Sequence, residues 1–231
     1  MKLGYGVFFV LGLVVLPSVS ARAVTPIVID FESFPGMGFS SGFPIPVASR
    51  LSNQLLATDG VLFSSGAPYV PVLNLGAGHA VSGTNGIGGS TAAGTLTYNS
   101  ASPITISFWD PQHTANVATT DFVSVKGDLD SIVGPSATLS AYGLQNQLLG
   151  SVFHIDAPGQ DWTISAQGIY SVIFSGVSIP DGTAGGIALD DLTFNPVTVP
   201  EPGTIGVMCF GVALASKRRR NAETFGSYSK V

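Results

Sequence analysis

With 231 residues, 45% of them hydrophobic and only 10% charged, the chain can bury a substantial core, so its 29 glycines and 15 prolines do not imply disorder. The overall charge of −5 hides an asymmetry. Between Val24 and Pro202 two cations, Arg50 and Lys126, stand against thirteen carboxylates, a net −11 that repels phosphate backbones and argues against nucleic acid as a partner. The one cysteine, Cys209, leaves the central part of the chain without disulfides.

The chain opens with Lys2, an apolar run from Leu3 to Leu16, and then Pro17 to Ser20 before Ala21-Arg22-Ala23. A positive end, a short apolar core and a small-x-small site make residues 1–23 a secretory signal peptide, cut by signal peptidase after Ala23. Residues 24–198 then read as one exported domain.

That domain is expected to be all-β. Short runs rich in Val, Ile, Thr, Phe and Tyr alternate with turn clusters, and no long stretch repeats every 3.6 residues. The predicted strands are Ile27–Glu32, Val61–Ser64, Tyr69–Leu73, Gly94–Tyr98, Ile104–Trp109, Phe122–Lys126, Ala137–Tyr142, Leu148–Ile155, Trp162–Ala166, Tyr170–Ser175 and Ile187–Phe194. In the fifth, Ile104, Ile106 and Phe108 are expected to face a core, with Thr105, Ser107 and Trp109 facing away. Gln145-Asn146-Gln147 reads as a hairpin turn, Arg50 to Asp59 as one short helix, and Ala77 to Gly94 as a long glycine-rich loop. Strands at this spacing favour an antiparallel β-sandwich over a parallel sheet, which would need crossover helices.

Few residues suggest chemistry. His79, His113 and His154 show no metal-binding spacing, so each reads as an ordinary polar residue. Gly38-Phe39-Ser40-Ser41-Gly42 matches GxSxG, but a nucleophilic elbow needs a helix directly after it, which Phe43-Pro44-Ile45-Pro46 forbids. A secreted hydrolase therefore lacks an acid/base constellation.

The C-terminal stretch is the most specific part of the sequence. Pro200 and Pro202 lack backbone donors and fix their own φ, so residues 199–203 should be extended. The uncharged run from Thr204 to Ser216 follows, and Lys217-Arg218-Arg219-Arg220 then favour the cytoplasmic face of a membrane. Pro200-Glu201-Pro202, an apolar segment and an arginine cluster in this order resemble the PEP-CTERM sorting signal of Gram-negative bacteria. The resemblance implies recognition of the motif by an exosortase-like membrane protease. It also implies a transient inner-membrane intermediate with a C-terminal hydrophobic helix over part of residues 199–220; residues 221–231, read as a short cytoplasmic tail, run on past the cations where the family usually stops sooner. The thirteen-residue apolar run is shorter than the ~20 residues of a usual spanning helix. An uncut anchor is the rival outcome.

Three fragments of the domain resemble the jelly-roll ectodomains that such proteins carry: Asp30-Phe31-Glu32, Gly60 to Phe63, and Gly185 to Phe194. The resemblance implies that the first and last strands lie close together. Asp30 or Glu32 could then meet Asp190 or Asp191 in a structural calcium site, since calcium takes six to eight oxygen ligands. The alternative, which the sequence favours slightly, is that they are solvated strand-edge or turn residues. Trp109 and Trp162 border predicted loops and could stack on sugar rings, or simply pack. The sequence thus reads as an exported, non-catalytic cell-surface or matrix protein. The alternative is a secreted carbohydrate-binding module acting on exopolysaccharide.

Overall fold

The computed structural model describes residues 25–38, 42–76, 80–91, 97–99, 102–129, 136–155, 160–177 and 187–199. Ala21 and Ala23 of the expected signal peptide, the Pro200-Glu201-Pro202 motif, the expected C-terminal helix and Lys217 to Arg220 lie outside the described residues, as do Ser40 and His79. Among the described residues no helix is long and apolar enough to cross a membrane.

The chain begins with β1 (Ile27–Ile29), β2 (Arg50–Leu51), the single helical turn α1 (Leu56–Asp59), β3 (Val61–Ser64) and β4 (Val70–Asn74). It continues through β5 (Asn85–Ile87), β6 (Ser90–Thr91), β7 (Thr97–Tyr98), β8 (Ile104–Phe108) and β9 (Thr120–Leu129). The last five strands are β10 (Ser136–Tyr142), β11 (Leu148–Ile155), β12 (Gln160–Ile169), β13 (Ser171–Val177) and β14 (Ile187–Phe194). One sheet runs β12-β9-β14-β5-β4-β2, with β1 also paired to β14; the other runs β11-β10-β13-β8-β3, and β6 pairs with β7. Every strand pair in the two large sheets is antiparallel.

The alternation that predicts the strands also packs them. Ile104, Ile106 and Phe108 of β8 are buried and Thr105 and Trp109 are half-exposed, but Ser107, expected to face away, is buried as well. In β12, Trp162 and Ile164 point inward while Asp161, Thr163 and Ser165 face solvent. The two inner faces meet directly. The Trp162 indole N–H donates to the Ala137 carbonyl of β10 at 3.1 Å, and its ring stands edge-on to Phe174 of β13 at 5.3 Å. Phe108 of one sheet likewise meets Phe194 of the other at 5.2 Å. Each such side chain removed from water contributes about 1.5–3 kcal/mol of hydrophobic stabilisation. The turn at Gln145 to Gln147 forms as predicted, with the Gly143 N–H on the Gln147 carbonyl and Asn146 in the left-handed region at φ 59°.

Two expectations need correcting. The predicted helix from Arg50 shrinks to Leu56–Asp59, because fully buried Leu51 is drawn into the sheet opposite Val70. The long loop from Ala77 to Gly94 contains β5, which lies in the interior of the larger sheet between β14 and β4, and it also contains β6. Gly86 makes that placement possible. A Cβ there would meet Leu75 Cδ1 at 2.9 Å and the Leu189 carbonyl at 3.1 Å.

Candidate functional site

The first and last strands do meet. Ile27, Val28 and Ile29 pair with Phe194, Thr193 and Leu192. Beyond Ile29 the chain turns sharply: Phe31 adopts φ 61° and is fully buried, its ring edge-on to Phe63 at 5.9 Å. With Phe31 pointing inward, Glu32 reaches the segment from Ser82 to Asn85. Its Oε1 accepts the amides of Thr84 at 2.8 Å and Asn85 at 2.6 Å, and its Oε2 takes the Thr84 hydroxyl at 3.4 Å. Gly83 lies against the Glu32 side chain at φ 57°, where a Cβ would overlap the carboxylate.

Asp190 and Asp191 approach the same segment from the other side. The register between β9 and β14 shifts between Asp190 and Thr193, and Asp191 sits at φ 41°, so two neighbouring carboxylates are turned inward at one bulge. Asp190, fully buried, accepts the Ser82 amide at 2.9 Å and the Asp191 amide at 2.7 Å. Asp191 accepts the Ser82 hydroxyl at 2.6 Å and faces the Lys126 ammonium at 3.3 Å. Burial pushes the Asp190 carboxyl above the ordinary range; the Ser82 and Asp191 amides pull it down, and the Asp191 charge adds to the rise.

Glu32 binds Thr84 and Asn85, and Asp190 and Asp191 bind Ser82, so the three hold neighbouring residues of one segment rather than one another. Asp30 does not join them. Its carboxylate accepts the amide of Glu32, two residues on, at 3.2 Å. Among the described residues no three His, Cys, Asp or Glu side chains form a metal-holding group. The oxygens of Glu32, Asp190 and Asp191 are instead occupied by amides, hydroxyls and Lys126. This arrangement is a clasp that fixes the Ser82–Asn85 segment against β14, and Ser82, Thr84 and Lys126 complete it. Lys126 stood out in the sequence only as one of two cations, and Ser82 and Thr84 did not stand out at all. Ser82 is separated from Asp190 by 108 positions and carries no motif.

The aromatic candidates separate. Trp162 is fully buried, so its expected stacking on a sugar is corrected: the indole is a core residue bonded to Ala137. Strand β12 begins at Gln160, before the predicted start, which puts Trp162 within the strand rather than beside a loop. Trp109 is half-buried, edge-on to Tyr170 at 6.0 Å, and its indole nitrogen is buried with no hydrogen-bond partner among the described residues. His113 Nδ1 lies 2.9 Å from Asp110. Burial tends to raise the Asp110 carboxyl, but the Gln112 amide and His113 hold it below the ordinary range. His154 packs edge-on against Trp162 at 5.4 Å.

At one end of the β9–β14 pair lies an open cleft of about 310 Å³, walled by Thr119, Asp121, Gln167, Gly168, Asn195 and Pro196. Three residues of β12, Ala166 to Gly168, bulge opposite Asp121, because Ser165 pairs with Phe122 and Ile169 with Thr120. The chain leaves the domain along this cleft, tied as it goes. The Thr120 hydroxyl donates to the Asn195 carbonyl at 2.9 Å, and the Asn195 amide side chain donates to Asp121 at 2.7 Å. Thr119 and Thr198 exchange both backbone bonds, at 2.9 and 2.8 Å.

No family model and no curated protein matches the sequence. In shape the chain is similar to the crystal structure of a DUF4465 family protein from Bacteroides caccae, at 12% identity and a TM-score of 0.38, over 76% of this chain and 100% of that one.

Proposed function

We propose that this chain is an exported bacterial cell-surface or extracellular-matrix protein, with a non-catalytic, jelly-roll-like ectodomain sorted by the C-terminal signal. Signal peptidase removes residues 1–23. Pro200-Glu201-Pro202 then presents the tail to an exosortase-like membrane protease, while Lys217 to Arg220 hold the tail's end on the cytoplasmic side.

The observation that carries this reading is the position of the motif. The last strand ends at Phe194, the chain stays hydrogen-bonded to the domain through Thr198, and Pro200 follows after one exposed residue, Val199. Prolines at 200 and 202 cannot donate ladder hydrogen bonds, so the pairing with Thr119 has no means of continuing as a regular strand. Folded body and sorting address abut without overlapping.

Replacing Glu201 with Ala in the full chain, expressed in its native host, tests the reading. The expected result is membrane retention of a species whose intact mass includes the tail, where the wild type is released without it. Release of the variant at wild-type mass would overturn the assignment.

A further inference from the structure

We infer that the face around the chain exit is a docking surface for the protein that recognises the Pro-Glu-Pro motif. The inference rests on the sorting reading above and concerns where the folded domain stands during processing. Thr198 is the last tied residue, held to Thr119 by two backbone bonds and by its hydroxyl on the Thr119 carbonyl at 3.3 Å. Upstream the tether has no slack: Val197 packs against the main core, and Asn195 is bonded through its amide, carbonyl and side chain.

Only Val199 and Pro200 separate Thr198 from Glu201. A fully extended chain covers at most about 3.6 Å per residue, so Glu201 can reach no further than about 11 Å from the bridge. A protease holding Glu201 therefore touches the domain surface next to Thr198, unless the bridge first opens. That surface is the rim of the cleft, formed by the exposed side chains of Asp121, Gln167 and Pro196. It is concave, uncharged apart from Asp121, and rich in amide and hydroxyl groups.

The charge pattern favours a protein over lipid as the occupant. The only cations of the described residues are Arg50, bonded to the Ile45 carbonyl, and Lys126, held by Asp191 in the clasp. Among the described residues the exit face thus offers no lysine or arginine to anionic headgroups, and Asp121 would be repelled by them.

The test uses Gln167→Trp, which adds bulk at an exposed position in the bulge, and Asp121→Lys, with Asp121→Asn as the control that keeps an acceptor for Asn195. Each is made in the full chain in the native host, with and without a flexible Gly-Ser insert of about twelve residues between Val199 and Pro200. Pulse-chase measurement of tail removal is the readout, with thermal melting confirming a folded domain. Blocking one anchor of an interface should slow removal about tenfold. The insert should restore the wild-type rate, because it moves the face away from the protease. Unchanged removal in folded Gln167→Trp and Asp121→Lys, with Glu201→Ala still blocked, would overturn the docking face alone. Removal that stays slow despite the insert would also overturn it. Faster removal in Asp121→Lys together with stronger binding to vesicles of anionic phospholipid would assign the face to lipid instead. Normal processing of Glu201→Ala would remove the sorting reading itself.

Discussion

Two regions along the β9–β14 pair are built from opposite materials. Near the middle of the pair three carboxylates and the Lys126 ammonium close over Ser82 to Asn85, with Asp190 and Asp191 buried. In the other region, about 20 Å along β9, threonines and amides surround an open cleft whose one charge is Asp121. The charged region is bonded internally to amides, hydroxyls and Lys126. The neutral end leaves Gln167 exposed and lies where the chain departs. In this domain concentrated charge marks a place held shut, and the surface left for a partner carries almost none.

The largest effect should come from breaking the charged region. Asp190→Ala removes the buried acceptor of the Ser82 and Asp191 amides and leaves both donors unpaired. The expected loss is about 3 kcal/mol in urea unfolding. The same substitution at the cleft, Asp121→Ala, frees one exposed amide and should cost about 1 kcal/mol or less. Equal costs would erase the contrast between the two regions.

A second effect, smaller and diagnostic of cause, is the pH dependence of that loss. Burial raises the folded-state pKa of Asp190 above its unfolded value of about 3.9. A raised carboxyl contributes stability that is fully present below the unfolded pKa and fades as pH rises through the folded one. The cost of Asp190→Ala should therefore be larger near pH 4 than near pH 7. The reverse trend would mean that the two amides outweigh burial.

Much of the strand framework was legible, because β3, β11 and β14 are short runs of β-forming residues between turn clusters and fall on the predicted limits. What failed were elements whose stability is not local. Strand β5 is Asn-Gly-Ile, a sequence with one β-former, and it exists because Leu189 and Val72 flank Ile87 on either side. The closeness of β1 to β14 was legible; it brings Glu32 to one side of the Ser82–Asn85 segment and Asp190 and Asp191 to another, without a contact between them. Their donors were not legible, since they come from a glycine-rich segment with no pattern of its own. Trp162 was misplaced for a readable reason: Asp161, Thr163 and Ser165 already alternate with Trp162 and Ile164, so the period marks a strand passing through the indole rather than a loop beside it.

The smallest stability effect is expected at Thr198, and it sharpens the contrast most. Thr198→Ala loses one long, partly exposed hydroxyl bond and keeps both backbone bonds, so unfolding should change by about 0.5 kcal/mol. Thr198→Pro removes the N–H that binds the Thr119 carbonyl at 2.8 Å and opens the bridge. Because Asn195 remains anchored, the domain should lose only about 1 kcal/mol. With Val197 still packed against the core, freeing residue 198 adds up to about 3.6 Å of reach toward Glu201. Tail removal in Thr198→Pro should consequently become less sensitive to Gln167→Trp, whereas Thr198→Ala should stay as sensitive as the wild type. Two variants of nearly equal stability would then differ in processing alone, as expected if this end of the pair acts through the length of chain it releases.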